Sequence, residues 1–189
     1  LLLYLYELTL EKKPDVIVEL GGGVSTLVMA AALKTNGKGR LYSFDHDAEY
    51  ATRTAGLLAR ESFGDVATVE HAPLSPWHPP APTGLAESWN WYTLPEAVAA
   101  LPGIDLLVVD GPPESTGAYA RYPALPALID RLAPGATVLL DDTNREADTK
   151  IAEAWRDEHG LDLALRTDFE KGLAVLTLKP AAATKELGR

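Results

Sequence analysis

Five carboxylates in this 189-residue chain stand at or next to the ends of apolar runs, where a folded sheet would turn them toward one ligand. Glu19 sits beside three consecutive glycines, Gly21, Gly22 and Gly23. Asp45 ends Arg40-Leu41-Tyr42-Ser43-Phe44, Asp110 ends the run from Ile104 to Val109, and Asp141 and Asp142 end the run from Ala136 to Leu140. Carboxylates so placed suit hydroxyls, ammonium groups, a hard cation or a proton in transit. They are unsuited to phosphate.

The glycine stretch sets the choice of ligand. Val16 to Thr26 reads as a buried strand, a tight turn and a helix start. Glycines there permit positive φ and close backbone approach, and a new helix offers unpaired N–H groups. A dinucleotide fingerprint, G-x-G-x-x-G/A counted from Gly21, fails at Thr26. Glu19 would repel a pyrophosphate but suits an ammonium or a ribose hydroxyl, which points to a cationic, ribose-bearing ligand. On the residues alone, a glycine-rich turn with no ligand is the alternative.

S-adenosylmethionine carries an amino group, a sulfonium and a ribose, and the stretch resembles motif I of the class I S-adenosylmethionine-dependent methyltransferases, with Ser25 where many members have a third glycine. The resemblance implies that Glu19, Gly21, Gly22, Gly23 and Ser25 hold the cofactor. Asp45 follows about 20 residues later, the distance at which a Rossmann-type unit offers a carboxylate to ribose hydroxyls. We assign Asp45 to the ligand, with His46 beside it, and Asp47 to the cap of the helix from Ala48 to Phe63. By the same resemblance, His71 and Ala72 sit where class I enzymes meet the adenine.

The elements that must position these residues can be read in order. Leu1 to Leu10 is a helix ended by Lys12-Lys13-Pro14, and Val24 to Leu33 is a helix closed by Asn36-Gly37. Val66 to His71 is a third strand. Ala72 to Thr93 is a long loop whose Trp77, Trp89, Trp91 and Tyr92 argue for a packed flap rather than disorder. Ile104 to Asp110 is a strand covered on both faces. A helix is expected over Ala124 to Leu132, a strand over Ala136 to Asp142 and a helix over Thr143 to His159. Leu161–Thr167 and Gly172–Leu178 then alternate around a short polar connection, which makes an antiparallel hairpin. Five βα units followed by a hairpin are the class I plan. The fold expected is α/β, a Rossmann-like doubly wound seven-stranded sheet, mostly parallel with the last strand antiparallel. It divides into an N-terminal helix over 1–13, a cofactor-binding domain over 14–180 and a loose tail over 181–189. Because the sequence opens at Leu1 rather than Met, a native start that helps cover the site is expected upstream.

Asp110, Asp141 and Asp142 would repel one another at neighbouring strand ends unless a cation joined them, and oxygen donors suit Mg²⁺, Ca²⁺ or Mn²⁺. The set looks like the metal acids of the small O-methyltransferases of the catechol and caffeoyl-coenzyme A type. Asp142 stands where that family has Asn, and Pro113 where it has a lysine. The resemblance implies Mg²⁺ on Asp110, Asp141 and Asp142. Without a metal, Asp141 and Asp142 cap a helix and Asp110 binds backbone. Asp110, Asp141 and His71 are the catalytic candidates, Asp110 is also expected to bind the cofactor, and His78, Glu114 and Tyr119 are further available bases.

Composition narrows the class. A net charge of −10 argues against nucleic acid, no cysteine is present for a thiolate site, and no run approaches the roughly 20 apolar residues of a membrane span. The expectation is a cytoplasmic methyltransferase that acts on a small molecule, most naturally at a hydroxyl oxygen. The alternatives are a non-catalytic module that binds the same cofactor and, less favoured, a nicotinamide-dependent oxidoreductase.

Overall fold

A computed structural model describes residues 1–179. The long apolar runs become the central strands: β1 (Val16–Leu20), β2 (Arg40–Asp45), β6 (Ile104–Val109) and β7 (Leu132–Asp141). All five residues of β1 are buried, as a strand covered on both faces requires. With β3 (Ala67–His71), β8 (Asp162–Arg166) and β9 (Leu173–Thr177) they form one sheet in the order β3-β2-β1-β6-β7-β9-β8. The pairs from β3 through β7 are parallel, and β9 inserts antiparallel between β7 and β8. The expected doubly wound sheet is therefore present, with its antiparallel last strand.

The chain reverses direction of winding between β1 and β6, and such a switch point opens a crevice at the strands' carboxyl ends. Glu19, Asp45, Asp110 and Asp141 all lie at that end of the sheet. Helices α1 (Leu2–Lys12), α2 (Val24–Asn36) and α3 (Ala48–Arg60) cover one face, where Leu5, Leu8, Met29, Leu33 and Leu58 pack on Ile17, Leu41 and Leu106. On the other face, Trp89, Trp91, Tyr122 and Trp155 pack on Val18, Leu107 and Val138. The helix ends follow their sequence signals. Asp47 Oδ1 accepts the N–H groups of Glu49 and Tyr50 at 2.8 and 3.1 Å, the cap assigned to it above. Gly37 and Gly160 close α2 and α6 (Glu146–His159) in the left-handed conformation.

Several boundaries differ from expectation. The stretch from Ala72 to Thr93 holds a two-stranded antiparallel ribbon, β4 (Leu74–Trp77) on β5 (Trp89–Tyr92), whose Trp89, Trp91 and Tyr92 are buried in the core. It is a fixed wall. A four-residue α4 (Glu96–Ala99) follows it. The helix expected over Ala124 to Leu132 is a short α5 (Ala124–Leu128) tightened into a 3₁₀ turn, and β7 begins at Leu132, ahead of Pro134-Gly135. Helix α6 starts at Glu146, after a turn in which Arg145 N–H donates to Asp142 O at 2.9 Å. The tail expected to be loose, 181–189, lies outside the described residues. Among the described residues no helix is long and apolar enough to cross a membrane.

Candidate active site

Gly21 turns the chain out of β1 at φ +91°, and a Cβ there would lie 2.8 Å from the backbone nitrogen of Gly111. Only glycine lets the ends of β1 and β6 come this close. Asp110 N–H donating to Leu20 O at 2.9 Å holds this contact, and Gly21 N–H donates to Phe44 O of β2 at 2.9 Å. Gly22 has its own neighbour, since a Cβ there would meet Ser43 Oγ at 2.6 Å, whereas Gly23 faces open space.

Glu19 lies beneath this turn and is fully buried. Its Oε1 accepts the hydroxyl of Ser25 at 2.6 Å, and its Oε2 accepts those of Ser43 at 2.7 Å and Thr26. Thr26 Oγ1 in turn accepts the Gly23 N–H at 2.9 Å. Burial pushes the Glu19 carboxyl up from its ordinary value, against the three hydroxyl hydrogen bonds that pull it down. Glu19 and Ser25 therefore brace the cradle from below.

Above the cradle is a pocket of about 540 Å³, within the range of small-molecule sites, lined at its floor by Gly21, Gly22 and Gly111. Asp45 and His46 stand on the β2 side, with Tyr50 from the first turn of α3. Asp45 Oδ1 accepts the Asp47 N–H at 2.9 Å, and Oδ2 has no hydrogen-bond partner among the described residues. Asp110 stands on the β6 side, near Glu114 and Arg145. Its side chain is partly covered, 41% exposed, and its carboxyl is pushed up to about 7. Burial is the largest cause. The positive charge of Arg121 opposes it, and Asp141 and Asp142 add to it.

Tyr92 reaches the pocket from the wall, and its hydroxyl is buried with no hydrogen-bond partner. A Cβ on Gly111 would collide with that oxygen, so the hydroxyl sits against the Gly21–Gly111 contact. Burial raises its pKa far above the usual phenol range. An orphaned polar atom here, with the free oxygen of Asp45 and a floor of bare backbone, fits a polar, ribose-bearing ligand.

The third component is Arg121, which is 5% exposed at its side chain. Its Nη2 donates to Asp110 O at 2.7 Å, Asp142 Oδ2 at 2.8 Å and Asp110 Oδ1 at 3.2 Å, and its Nη1 donates to Asp141 O at 3.0 Å. Arg145 Nη2 reaches the same Asp142 Oδ2 at 2.8 Å, and Lys171 Nζ lies 3.5 Å from Oδ1. Burial raises the Asp142 carboxyl, but these cations outweigh it and leave the group below its usual value. Asp141 is raised, chiefly by burial. Asp110, Asp141 and Asp142 do converge, with one oxygen of each within 4.8 Å of the others. With a guanidinium already bound to two of them, the donor set does not fit a divalent ion.

Not every sequence candidate joins the site. His71 is exposed outside the pocket, its Nε2 3.1 Å from His46 O. Ala72 is buried, and its N–H donates to Asp45 O at 2.8 Å, so it places Asp45. His78 lies along a separate proline-lined groove. Tyr119 lies behind Arg121, while Glu114 lines the pocket. Sequence reasoning did not single out Tyr92 or Arg145 for a role here, nor the central place of Arg121. Its place in the chain between the acidic ends at Asp110 and Asp141 is the one sequence signal for it.

Residues 18–143 match the family model described as a methyltransferase domain. No curated protein matches the chain. Solved structures share its fold at low identity. A methyltransferase from Geobacter sulfurreducens is 16% identical with a TM-score of 0.66, over 94% of this chain and 77% of that one. The O-methyltransferase TomG from Streptomyces achromogenes, involved in tomaymycin synthesis and solved with S-adenosylmethionine, is 16% identical with a TM-score of 0.61, over 93% and 78%. An O-methyltransferase from Bacillus cereus, solved with S-adenosylhomocysteine, is 15% identical with a TM-score of 0.62, over 93% and 79%.

Proposed function

The chain belongs to the methyltransferase family whose domain it matches over residues 18–143, and from that premise we propose that it transfers a methyl group from S-adenosylmethionine to a hydroxyl oxygen of a small molecule. One observation carries the reading. Asp45 and Asp110 flank a single pocket from the strands on either side of β1, with the bare backbone of Gly21 and Gly22 between them. S-adenosylmethionine, when bound, supplies an electrophilic methyl on a sulfonium, and its transfer needs alignment and exclusion of water more than charge stabilisation.

The chain's own residues divide that work. Asp45 Oδ2 is free to accept from ribose hydroxyls, and the Tyr92 hydroxyl adds a polar partner beside the floor. Gly21 and Gly22 let the methionine part lie against backbone. On the other side, Asp110 takes the proton of the acceptor hydroxyl, a task suited to a carboxyl held at about 7. Arg121 fixes the orientation of Asp110 through Oδ1 and the main-chain oxygen, which leaves Oδ2 to face the acceptor. The net charge of −10 favours a small acceptor over nucleic acid.

The test is product release. With a panel of hydroxyl-bearing small molecules, formation of S-adenosylhomocysteine and an O-methylated product identified by mass spectrometry is expected. Asp110→Asn should lower kcat by about 100-fold or more while cofactor affinity stays put. A product methylated at nitrogen or carbon, or an unaltered kcat in Asp110→Asn, would overturn the assignment.

A further inference from the structure

We propose that Arg121 is the resident cation of the acidic cluster at the ends of β6 and β7, filling the place a divalent ion would take, and that this methyl transfer runs without a metal. The first half stands on geometry alone. The second rests on the function proposed above.

Three carboxylates at adjacent strand ends need a counter-charge, and the fold supplies it from within the chain. Arg121 lies within a tight turn in which Tyr122 N–H donates to Tyr119 O at 2.9 Å, and Ala124 N–H then donates to Arg121 O at 3.1 Å. Those bonds deliver the guanidinium into the cluster from the loop after β6. There it meets the side chains of Asp110 and Asp142 and the carbonyls of Asp110 and Asp141, so four acceptor contacts are made by two nitrogens. A third acid, Asp148 of α6, approaches Nη1 at 3.8 Å.

A Mg²⁺ ion needs near-octahedral oxygens at about 2.0–2.1 Å. Asp142 Oδ2 is already shared by two guanidiniums, and its Oδ1 faces Lys171. A guanidinium in a protein keeps its charge and all its donors. A divalent ion on all three acids would compete with Arg121 for Asp110 and Asp142, and displacing the guanidinium would strip a buried charge of its partners. The charges already balance closely: Asp110, Asp141, Asp142 and Asp148 against Arg121, Arg145 and Lys171. The planar fork also does what a spherical ion does not. It bonds main-chain carbonyls of both strands and so fixes the spacing of β6 and β7 beneath the acceptor side.

The experiment is a Mn²⁺ titration of the full chain, read by water-proton relaxation, on wild type, Arg121→Lys and Arg121→Ala, with circular dichroism to confirm folding. No cofactor or acceptor is present, so its outcome is separate from that of the methyl-transfer reading. Wild type and Arg121→Lys should show no saturable Mn²⁺ site. Arg121→Ala, where it folds, should gain one Mn²⁺ per chain, lost again on adding Asp142→Asn. If Arg121→Ala does not fold, the other two proteins decide. A saturable site in wild type removed by Asp142→Asn, or a folded Arg121→Ala that ignores Mn²⁺, would overturn the assignment of Arg121. Turnover should persist in excess EDTA. A loss of tenfold or more that Mg²⁺ restores would overturn the metal-free reaction.

Discussion

The hydroxyl of Ser25 donates to Oε1 of Glu19 at 2.6 Å, and this bond, together with that from Thr26 to Oε2, joins the end of β1 to the first turn of α2 underneath the glycine turn. Two acids expected to act alike on the cofactor thus have separate tasks. Glu19 is a brace with three hydroxyl partners, and Asp45 offers a free oxygen to the pocket.

Their alanine variants should differ accordingly. Glu19→Ala leaves three hydroxyls without their shared acceptor and should cost about 3 kcal/mol, a fall in Tm of roughly 6 to 12 °C for a chain of this size. Asp45→Ala gives up one hydrogen bond to the Asp47 N–H and should cost about 1 kcal/mol. Its larger effect should be on S-adenosylhomocysteine, with Kd raised tenfold or more. Thermal unfolding and calorimetry on the two variants check the split.

The three glycines should also separate. Gly21→Ala combines a left-handed backbone with a 2.8 Å clash on Gly111 N, and should destabilise by about 2 kcal/mol or more. Gly23→Ala meets nothing within 4 Å and should leave Tm within the effect of about 0.5 kcal/mol typical of tolerated surface changes. Denaturant titration of both proteins measures this.

These contrasts mark where sequence reading reached and where it stopped. The strands were legible because Val16 to Leu20 and Ile104 to Val109 are apolar without break, and the hairpin because its two halves alternate. The ribbon of β4 and β5 was not, since Pro73, Pro76, Pro79, Pro80 and Pro82 mask it and its short strands are paired across a proline-rich gap. The acidic residues of the site were legible one by one from their place at strand ends. Their partners were not, because those bonds span the chain: Arg121 meets Asp142 from 21 residues away, and Ser43 meets Glu19 from 24. That Glu19 points inward is set by those hydroxyls, and a carboxylate beside glycines reads the same from either side.

Tyr92→Phe should move stability and binding in opposite directions. Its hydroxyl is buried without a partner, so its removal should leave Tm unchanged or raise it, by up to about 1 kcal/mol of stability. Kd for S-adenosylhomocysteine should rise by roughly 2- to 12-fold, the worth of one hydrogen bond. Tighter binding in the variant would remove Tyr92 from the site.

The pH profile follows from Asp110. Burial pushes its carboxyl up to about 7, against the pull of Arg121. The carboxylate is the form that accepts a proton, so kcat/KM should be flat above pH 7 and fall toward tenfold per unit below it. Asp110→Asn should lack that limb, and a wild-type profile flat down to pH 5 would remove Asp110 as the base.

The most direct test of the central claim is a calorimetric titration of wild type and Asp45→Ala with S-adenosylhomocysteine, with NAD as a parallel ligand. We expect one site per chain, micromolar or tighter in wild type, weakened at least tenfold in Asp45→Ala, and no heat from NAD. Binding of NAD in place of S-adenosylhomocysteine, or equal affinity in both proteins, would contradict the assignment of the pocket to the methyl donor.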